Sequence, residues 1–298
     1  MDFKQLEAFT SVVSLGSFSR AAEKLYLTQP TISAHIGSLE FELNTQLIVR
    51  TPKEAYPSET GKILYEYALD MLALREQAVS ACLSATADMS GSISIAASSI
   101  PYQYLLPGMI SEFREQYPDI SFELISSDSA GVISAILSGK AEMGLTGSMM
   151  ESSKCVYQEI ADDNLVVITP NLKPYSDLEE NGFTLNHLKQ FPFIIREPGS
   201  GTRRETESYL QKKGLKLESL RIAAQMDDPD AIKKSVGRGM GISIMSQLAA
   251  SDYEEFGLIR VFHPEKEPIK RKLYLVRHKS RPVFPIAQAF LEFAITSK

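Results

Sequence analysis

A chain of 298 residues, 44% hydrophobic and 23% charged, is long enough for more than one core and has an ordinary globular composition. Its formal net charge of −6 excludes the bulk positive charge that commonly marks a DNA-binding protein. No run approaches the ~18 apolar residues a membrane span requires, so no membrane partner is expected.

Cys82 and Cys155 are the only cysteines, too few for a disulfide framework or a four-ligand metal site. They read as buried or incidental thiols, with a redox pair as the alternative. His35, His187, His263 and His278 have no metal-ligand spacing. The opening Met1-Asp2-Phe3-Lys4-Gln5-Leu6-Glu7 carries acids and is polar too soon for a secretory signal, so a cytoplasmic protein is expected.

Phe3, Leu6, Phe9, Val12 and Val13 recur at helical spacing, which predicts a helix over 2–14 that stops at Gly16. Ser17 and Ser19 are both suited to cap a second helix over 20–26, whose small inward residues Ala21 and Ala22 allow close approach. After the step Leu27-Thr28-Gln29, Thr28 can cap a third helix running to about Leu43, with Pro30 in its first turn. Its apolar stripe is Ile32, Ile36, Leu39 and Leu43. Gln29, Pro30, Ser33, Ala34 and Gly37 make a slim polar face of the kind that enters a major groove. The plainer alternative is a three-helix bundle, whose exposed face would usually carry long charged residues. Two short strands, 47–50 and 54–57, then form a wing around Thr51-Pro52-Lys53, with Arg50 and Lys53 placed for phosphates or the minor groove. Residues 1–61 hold five basic groups against seven acidic ones, a balance of −2, so affinity must come from a few placed cations and helix N-termini.

From 59 to 87 the pairs Ile63/Leu64, Tyr67/Ala68, Met71/Leu72, Ala78/Val79 and Cys82/Leu83, with Leu74, predict an amphipathic helix of about seven turns. It is too long to bury against sixty residues, so a coiled-coil-like contact with a second copy is its natural use. Packing on the chain's own C-terminal domain is the alternative. Asp88-Met89-Ser90-Gly91 breaks it.

Strand and helix patterns alternate from Ser92 onward: strands near 92–97, 120–125, 142–146, 165–168, 193–195, 222–224, 242–244 and 273–276, with helices over 102–117 and 132–138. This predicts parallel sheets covered by helices. Ligands in such folds sit beyond strand C-termini, against helix N-termini. Three places fit: Ser98-Ser99-Ile100-Pro101, Thr146-Gly147-Ser148, and Pro198-Gly199-Ser200-Gly201-Thr202-Arg203, the last opening a helix through Glu207. Hydroxyls and glycines there let backbone N–H groups face an anion, to which Arg203 or Arg204 could add a cation. Each alone reads better as an ordinary cap, whereas the three together point to a ligand cleft.

The run Phe18-Ser19-Arg20-Ala21-Ala22-Glu23-Lys24-Leu25, then Thr28-Gln29-Pro30-Thr31-Ile32-Ser33, Ile36, Leu39-Glu40, Arg50-Thr51 and Thr60-Gly61 resembles the helix-turn-helix, wing and linker entry of LysR-type transcriptional regulators. More than a dozen positions agree in order over about sixty residues. The resemblance implies an α/β chain in three parts: a winged helix-turn-helix over 1–58, a linker and dimerisation helix over 59–88, and a two-lobed periplasmic-binding-protein-like effector domain over 89–298. Lobe I would take about 89–163 and 268–298, and lobe II about 164–267. It implies double-stranded DNA with an inverted-repeat promoter site as partner, a homodimer or homotetramer, and RNA polymerase as a further candidate partner. The DNA-contacting set is then Arg20, Thr28, Gln29, Pro30, Thr31, Ser33, Ala34, His35, Arg50 and Lys53. Many members carry arginine where Ala34 stands, so readout either passes to His35 or is lost; His35 reads equally as a plain surface residue. The effector set is Ser98, Ser99, Ile100, Thr146, Gly147, Ser200, Gly201 and Thr202, binding a small molecule, with no other cofactor and no metal. Residues 196–203 look like the branch that regulates cysteine and sulfur assimilation, and residues 1–6 and 27–36 like a subgroup associated with selenium metabolism.

An enzyme is the less favoured class. Ser200 lacks the glycine spacing of a nucleophile elbow, and no Walker-type phosphate loop is present. A solute-binding protein would leave the first ninety residues without a use and would need an export signal.

Overall fold

A computed structural model of the chain describes residues 1–51, 54–84, 91–178, 183–264, 269–281 and 283–296. They form two compact units, Met1–Asp88 with Ser280–Pro285, and Met89–Lys279 with Ile286–Lys298.

In the first unit α1 (Phe3–Leu15) opens with a reciprocal capping box between Asp2 and Gln5 and ends at Gly16, whose φ of +64° needs no side chain. Ser17 caps α2 (Phe18–Lys24), which leaves Ser19 inside the helix. Tyr26 then takes φ +55° to turn the chain into α3 (Gln29–Glu42), capped by Thr28. Phe9, Val12, Ala21, Ala22, Ile32, Ile36 and Leu39 fill the core. Leu43, expected on the apolar stripe, is instead the residue where α3 ends, and it is exposed. The wing is β1 (Ile48–Arg50) paired antiparallel with β2 (Ala55–Pro57). Glu40 on α3 accepts from the backbone N–H of Leu47 and Ile48 at 2.7 and 3.0 Å, which fixes the wing to the helix. The long helix α4 (Glu59–Ser84) follows, and the predicted continuation to 87 and break at 88–90 lie outside the described residues. Leu64, Tyr65, Ala68, Met71 and Leu72 of α4 pack on the core of this unit.

The second unit is a nine-stranded sheet in the order β4-β3-β5-β11-β6-β9-β7-β8, with β10 on β6. The strands are β3 (Gly91–Ser98), β4 (Ile120–Ser127), β5 (Met143–Thr146), β6 (Cys155–Pro170), β7 (Phe193–Arg196), β8 (Ile222–Met226), β9 (Ile242–Ser246), β10 (Ile259–Phe262) and β11 (Ile269–His278). On one side β3 pairs parallel with β4 and β5, and on the other β7 pairs parallel with β8 and β9. The 16-residue β6 and its antiparallel partner β11 run between these halves. The sheet is therefore mixed rather than wholly parallel, because a chain that crosses between two lobes and returns must run both ways. Lobe I holds a π-helical turn (Pro101–Leu105) continuing into α5 (Leu106–Gln116), and α6 (Ser129–Leu137). Lobe II holds α7 (His187–Gln190), α8 (Gly201–Lys212), α9 (Pro229–Gly237) and α10 (Gln247–Glu255). The last helix, α11 (Pro285–Thr296), sets Phe290 edge-on against Phe113 of α5 at 5.1 Å. The expected assignment of all of 268–298 to lobe I is corrected at two points. The first residues of β11 pair with the lobe II half of β6. Ser280–Pro285 belongs to the first unit, where Arg281 donates to Asp70 of α4 at 2.6 Å.

Candidate functional site

The slim face of α3 is built by subtraction. Ile32, Ile36 and Leu39 point into the core, so the opposite side presents Gln29, Pro30, Ala34 and Gly37 to solvent, with Ser33 half-buried among them. A side chain added at Gly37 would meet open space. Thr28 and Thr31 are occupied with each other, their hydroxyls 2.8 Å apart at the helix start. His35 is half-buried and lies about 160° round the helix from Ser33, on the flank of the core face. That position favours its plain reading over a substitute role for Ala34. Arg20 is exposed and its guanidinium donates to the carbonyl of Leu15. Arg50, also exposed, lies over the ring of Phe18 at 4.1 Å, which holds the wing cation beside α2. Lys53 lies outside the described residues.

The second site is a small, partly open cavity of about 10 Å³ between the two lobes, room for no more than one water. Ser98, Ser99 and Ile100 reach it from the end of β3, Gly147 from the end of β5, and Ser200, Gly201 and Thr202 from the start of α8. Of the predicted set only Thr146 is absent from its lining; it is fully buried with its hydroxyl unpartnered. Ser98 accepts from the Gly147 N–H at 3.2 Å, and Ser200 caps α8.

Four lining residues were not foreseen: Asp128, Ser129, Arg196 and Arg271. Arg271 is the central one. Its Nε donates to Asp163 at 2.7 Å and its Nη1 to the Thr202 hydroxyl at 3.0 Å, while Ser246 donates to the other Asp163 oxygen at 3.0 Å. Nη2 lies 2.5 Å from the same Asp163 oxygen as Nε, without the alignment of a hydrogen bond. Complete burial draws the guanidinium below its ordinary pKa, against the pull of Asp163. Arg196 is held bidentately by Glu197 at 2.7 and 2.8 Å and donates to Ser99 at 3.2 Å. Asp128 caps α6 through the Gly131 N–H at 2.6 Å, and the buried Ser129 hydroxyl has no partner. Arg203 and Arg204, the cations expected from sequence, do not line the cavity; Arg203 pairs with Glu207 at 2.7 Å. The signal that could have found Arg271 is pairing register, since it stands opposite Asp163 on neighbouring strands.

Among the described residues no helix is long and apolar enough to cross a membrane, and no group of three or more His, Cys, Asp or Glu is placed for a metal ion. The two sites belong to one class of protein, the transcriptional regulators that carry a DNA-reading head on a sensor domain. Within that class the chain belongs to the LysR family: residues 3–62 match the bacterial regulatory helix-turn-helix protein of the lysR family, and residues 86–297 the LysR substrate binding domain. It is thus a regulator of transcription and not an enzyme. The chain is 34% identical over 279 residues to an uncharacterized helix-turn-helix-type regulator of Methanocaldococcus jannaschii, covering 93% of each. It is 32% identical to the uncharacterized regulator YeiE of Escherichia coli strain K12, over 97% of this chain and 96% of that one. CysL of Bacillus subtilis is 29% identical over 92% and 90%.

Solved structures share the fold. A full-length OxyR variant of Pseudomonas aeruginosa superposes with a TM-score of 0.76 at 17% identity, covering 99% of this chain and 93% of that one. Full-length CbnR complexed with its target DNA gives 0.64 at 21%, over the whole of both chains. The CcmR regulatory domain of Synechocystis PCC6803 in complex with 2-PG gives 0.63 at 24%, over 70% of this chain and 97% of that one.

Proposed function

We propose that this LysR-family regulator reads an inverted-repeat promoter site with Gln29, Pro30 and Ser33 of α3, and that a small anion held between the lobes controls that binding. The observation that carries the sensor half is the small cavity lined from both lobes. Three helix N-termini converge on it, those of the helix opening at Pro101, of α6 and of α8, together with two guanidiniums and the unpartnered Ser129 hydroxyl. Both guanidiniums are already matched by carboxylates, so oriented donors rather than surplus charge would hold the ligand. A cavity this small admits an effector only when the lobes part, and β6 and β11 are the strands about which they can do so. CcmR holding 2-PG in a domain of the same fold supports a small molecule as effector class. CysL among the relatives supports the sulfur-related branch, whereas the selenium-associated one rests on residues 1–6 and 27–36 alone. Work on DNA supports a cytoplasmic location, and RNA polymerase stands as a proposed further partner.

Gel shifts with adjacent intergenic DNA test the first half, and absence of binding with or without metabolite extract would overturn it. Gln29→Ala or Ser33→Ala should relax base discrimination by about 1–3 kcal/mol per good contact. Lys53→Ala should weaken all sequences alike and flatten the salt dependence. For the sensor, calorimetry with sulfate, phosphate and small carboxylates should show binding that Ser98→Ala with Thr202→Ala weakens while the fold stays intact. Unchanged affinity would remove those hydroxyls from the cleft.

A further inference from the structure

Beside the small cavity, and sharing Ser99 and Asp128 with it, lies a larger chamber of about 430 Å³ that is open to solvent, with Asp227 and Asp228 exposed on its rim. Lobe I supplies Gln103 and Asp128 to its wall; lobe II supplies Glu197, Asp227 and Asp228. Glu197 is neutralised by Arg196. The other three carboxylates have no ion-pair partner among the described residues, and their hydrogen bonds are caps: Asp128 accepts from Gly131 and Asp228 from the Asp230 N–H at 2.8 Å. Caps alone would explain single aspartates at the starts of α6 and α9. They do not explain why both starts, and Asp227 as well, face one chamber that opens beside a cradle of N–H donors. The adjoining cavity independently calls for a ligand, because the Ser129 hydroxyl, next in sequence to Asp128 and only 1% exposed, is aimed at it without a partner.

We infer that the effector is amphoteric, with its anionic group in the small cavity and a protonated amine in the chamber, read by Asp128, Asp227 and Asp228. The inference rests on the anion-cleft reading above and adds to it the second charge and its place. The two cavities differ in charge: N–H donors and the guanidiniums of Arg196 and Arg271 line the small one, the unpaired carboxylates Asp227 and Asp228 line only the larger, and Asp128 stands on the wall they share. A purely anionic effector of larger size would have to lay its remainder against three carboxylates, which selects against it.

Calorimetry on the full-length protein tests this with matched pairs: β-alanine and propionate, 4-aminobutyrate and butyrate, 2-aminoethylphosphonate and ethylphosphonate. In at least one pair the amine-bearing member should bind about tenfold more tightly, the scale of one charge-assisted hydrogen bond. Asp227→Asn with Asp228→Asn should abolish that preference and leave the amine-free partner's affinity unchanged or improved, since asparagine caps a helix as well as aspartate. Equal affinity within every pair overturns the amphoteric reading and leaves the anion cleft standing. A preference that survives the double substitution overturns the assignment of the chamber. Failure of all six compounds to bind overturns both readings.

Discussion

Glycines decide whether the lobes can meet. A Cβ at Gly199 would lie 1.7 Å from Asp128 Oδ2, and one at Gly201 would lie 2.8 and 2.9 Å from the hydroxyls of Ser129 and Ser148. Asp128 and Ser129 cannot easily yield, since one caps α6 and the other begins it. Gly199→Ala should therefore hold the cleft ajar and weaken effector binding by about 1–3 kcal/mol, the usual range for overpacking. With an amine-free anion as the probe, Asp128→Gly in the same chain should restore part of the loss; calorimetry that found the two effects merely additive would refute the contact as the cause. Lys233 illustrates a different residue effect. It is only 1% exposed, and burial alone would lower its pKa, yet hydrogen bonds to Asp252 and Asp230 more than reverse that and leave it raised. A raised folded-state pKa contributes stability that is complete below the unfolded lysine value of about 10.4 and is lost only as pH climbs through the folded one. The thermal transition of this unit should thus owe no pH dependence between about 6 and 9 to the Lys233–Asp252 pair. Asp252→Asn should lower stability by about 1–3 kcal/mol throughout that window, measured by calorimetric melting at several pH values.

At the scale of elements, close packing again shows which positions are constrained. A Cβ at Gly61 would come 2.1 Å from the Leu47 carbonyl, so α4 can start against the wing only with glycine there. Gly61→Ala should push α4 away from β1 and destabilise the first unit by about 1–3 kcal/mol, which limited proteolysis or the melting of residues 1–84 in the intact chain would register. The second and third helices of this unit were legible because capping and period agree: Ser17 and Thr28 each precede an apolar face. The parallel strands β3, β7 and β9 were legible as short apolar runs between turn signals. β6 was seen only in its second half, because Gln158, Glu159, Asp162 and Asp163 interrupt the apolar pattern of the first. Those residues sit where the strand leaves one lobe for the other, and Asp163 is polar because it must neutralise Arg271. The hydroxyls of the cleft could be read from strand ends and helix caps. Arg271 could not, for its meeting with Thr202 depends on three-dimensional register across 69 positions. β10 also escaped notice: Gly257, at φ +66°, and Pro264 bracket it, but four residues are too few for their pattern to mark a strand.

For the molecule as a whole, the charge poses the question that geometry must answer. A net −6, with five basic against seven acidic groups in residues 1–61, leaves few cations to neutralise phosphate. Affinity per protomer should be modest, and the slope of log affinity against log salt shallow, at about 0.9 for each phosphate neutralised. A homodimer joined through α4 would then be a route to tight and selective binding. The predicted apolar pairs along it separate: Leu64 and Ala68 turn to the core of the first unit, while Ile63 and Tyr67 remain 60% and 65% exposed. Leu74, 58% exposed, and Ala78 continue the outward line at intervals of seven and four residues from Tyr67. That stripe lies about 120° round the helix from the buried one, so covering it requires a second surface. A second copy's α4, related by a two-fold axis, fits the spacing. Ile63→Glu with Leu74→Glu would place two charges on the stripe and leave the inward face untouched. The variant should sediment as a monomer with its melting transition preserved, lose high-affinity binding to the full inverted repeat, and retain weak binding to a half-site with about half the salt slope. If it remained dimeric, the pairing surface would have to lie in the second unit, and α4 would serve only to carry the DNA-binding head.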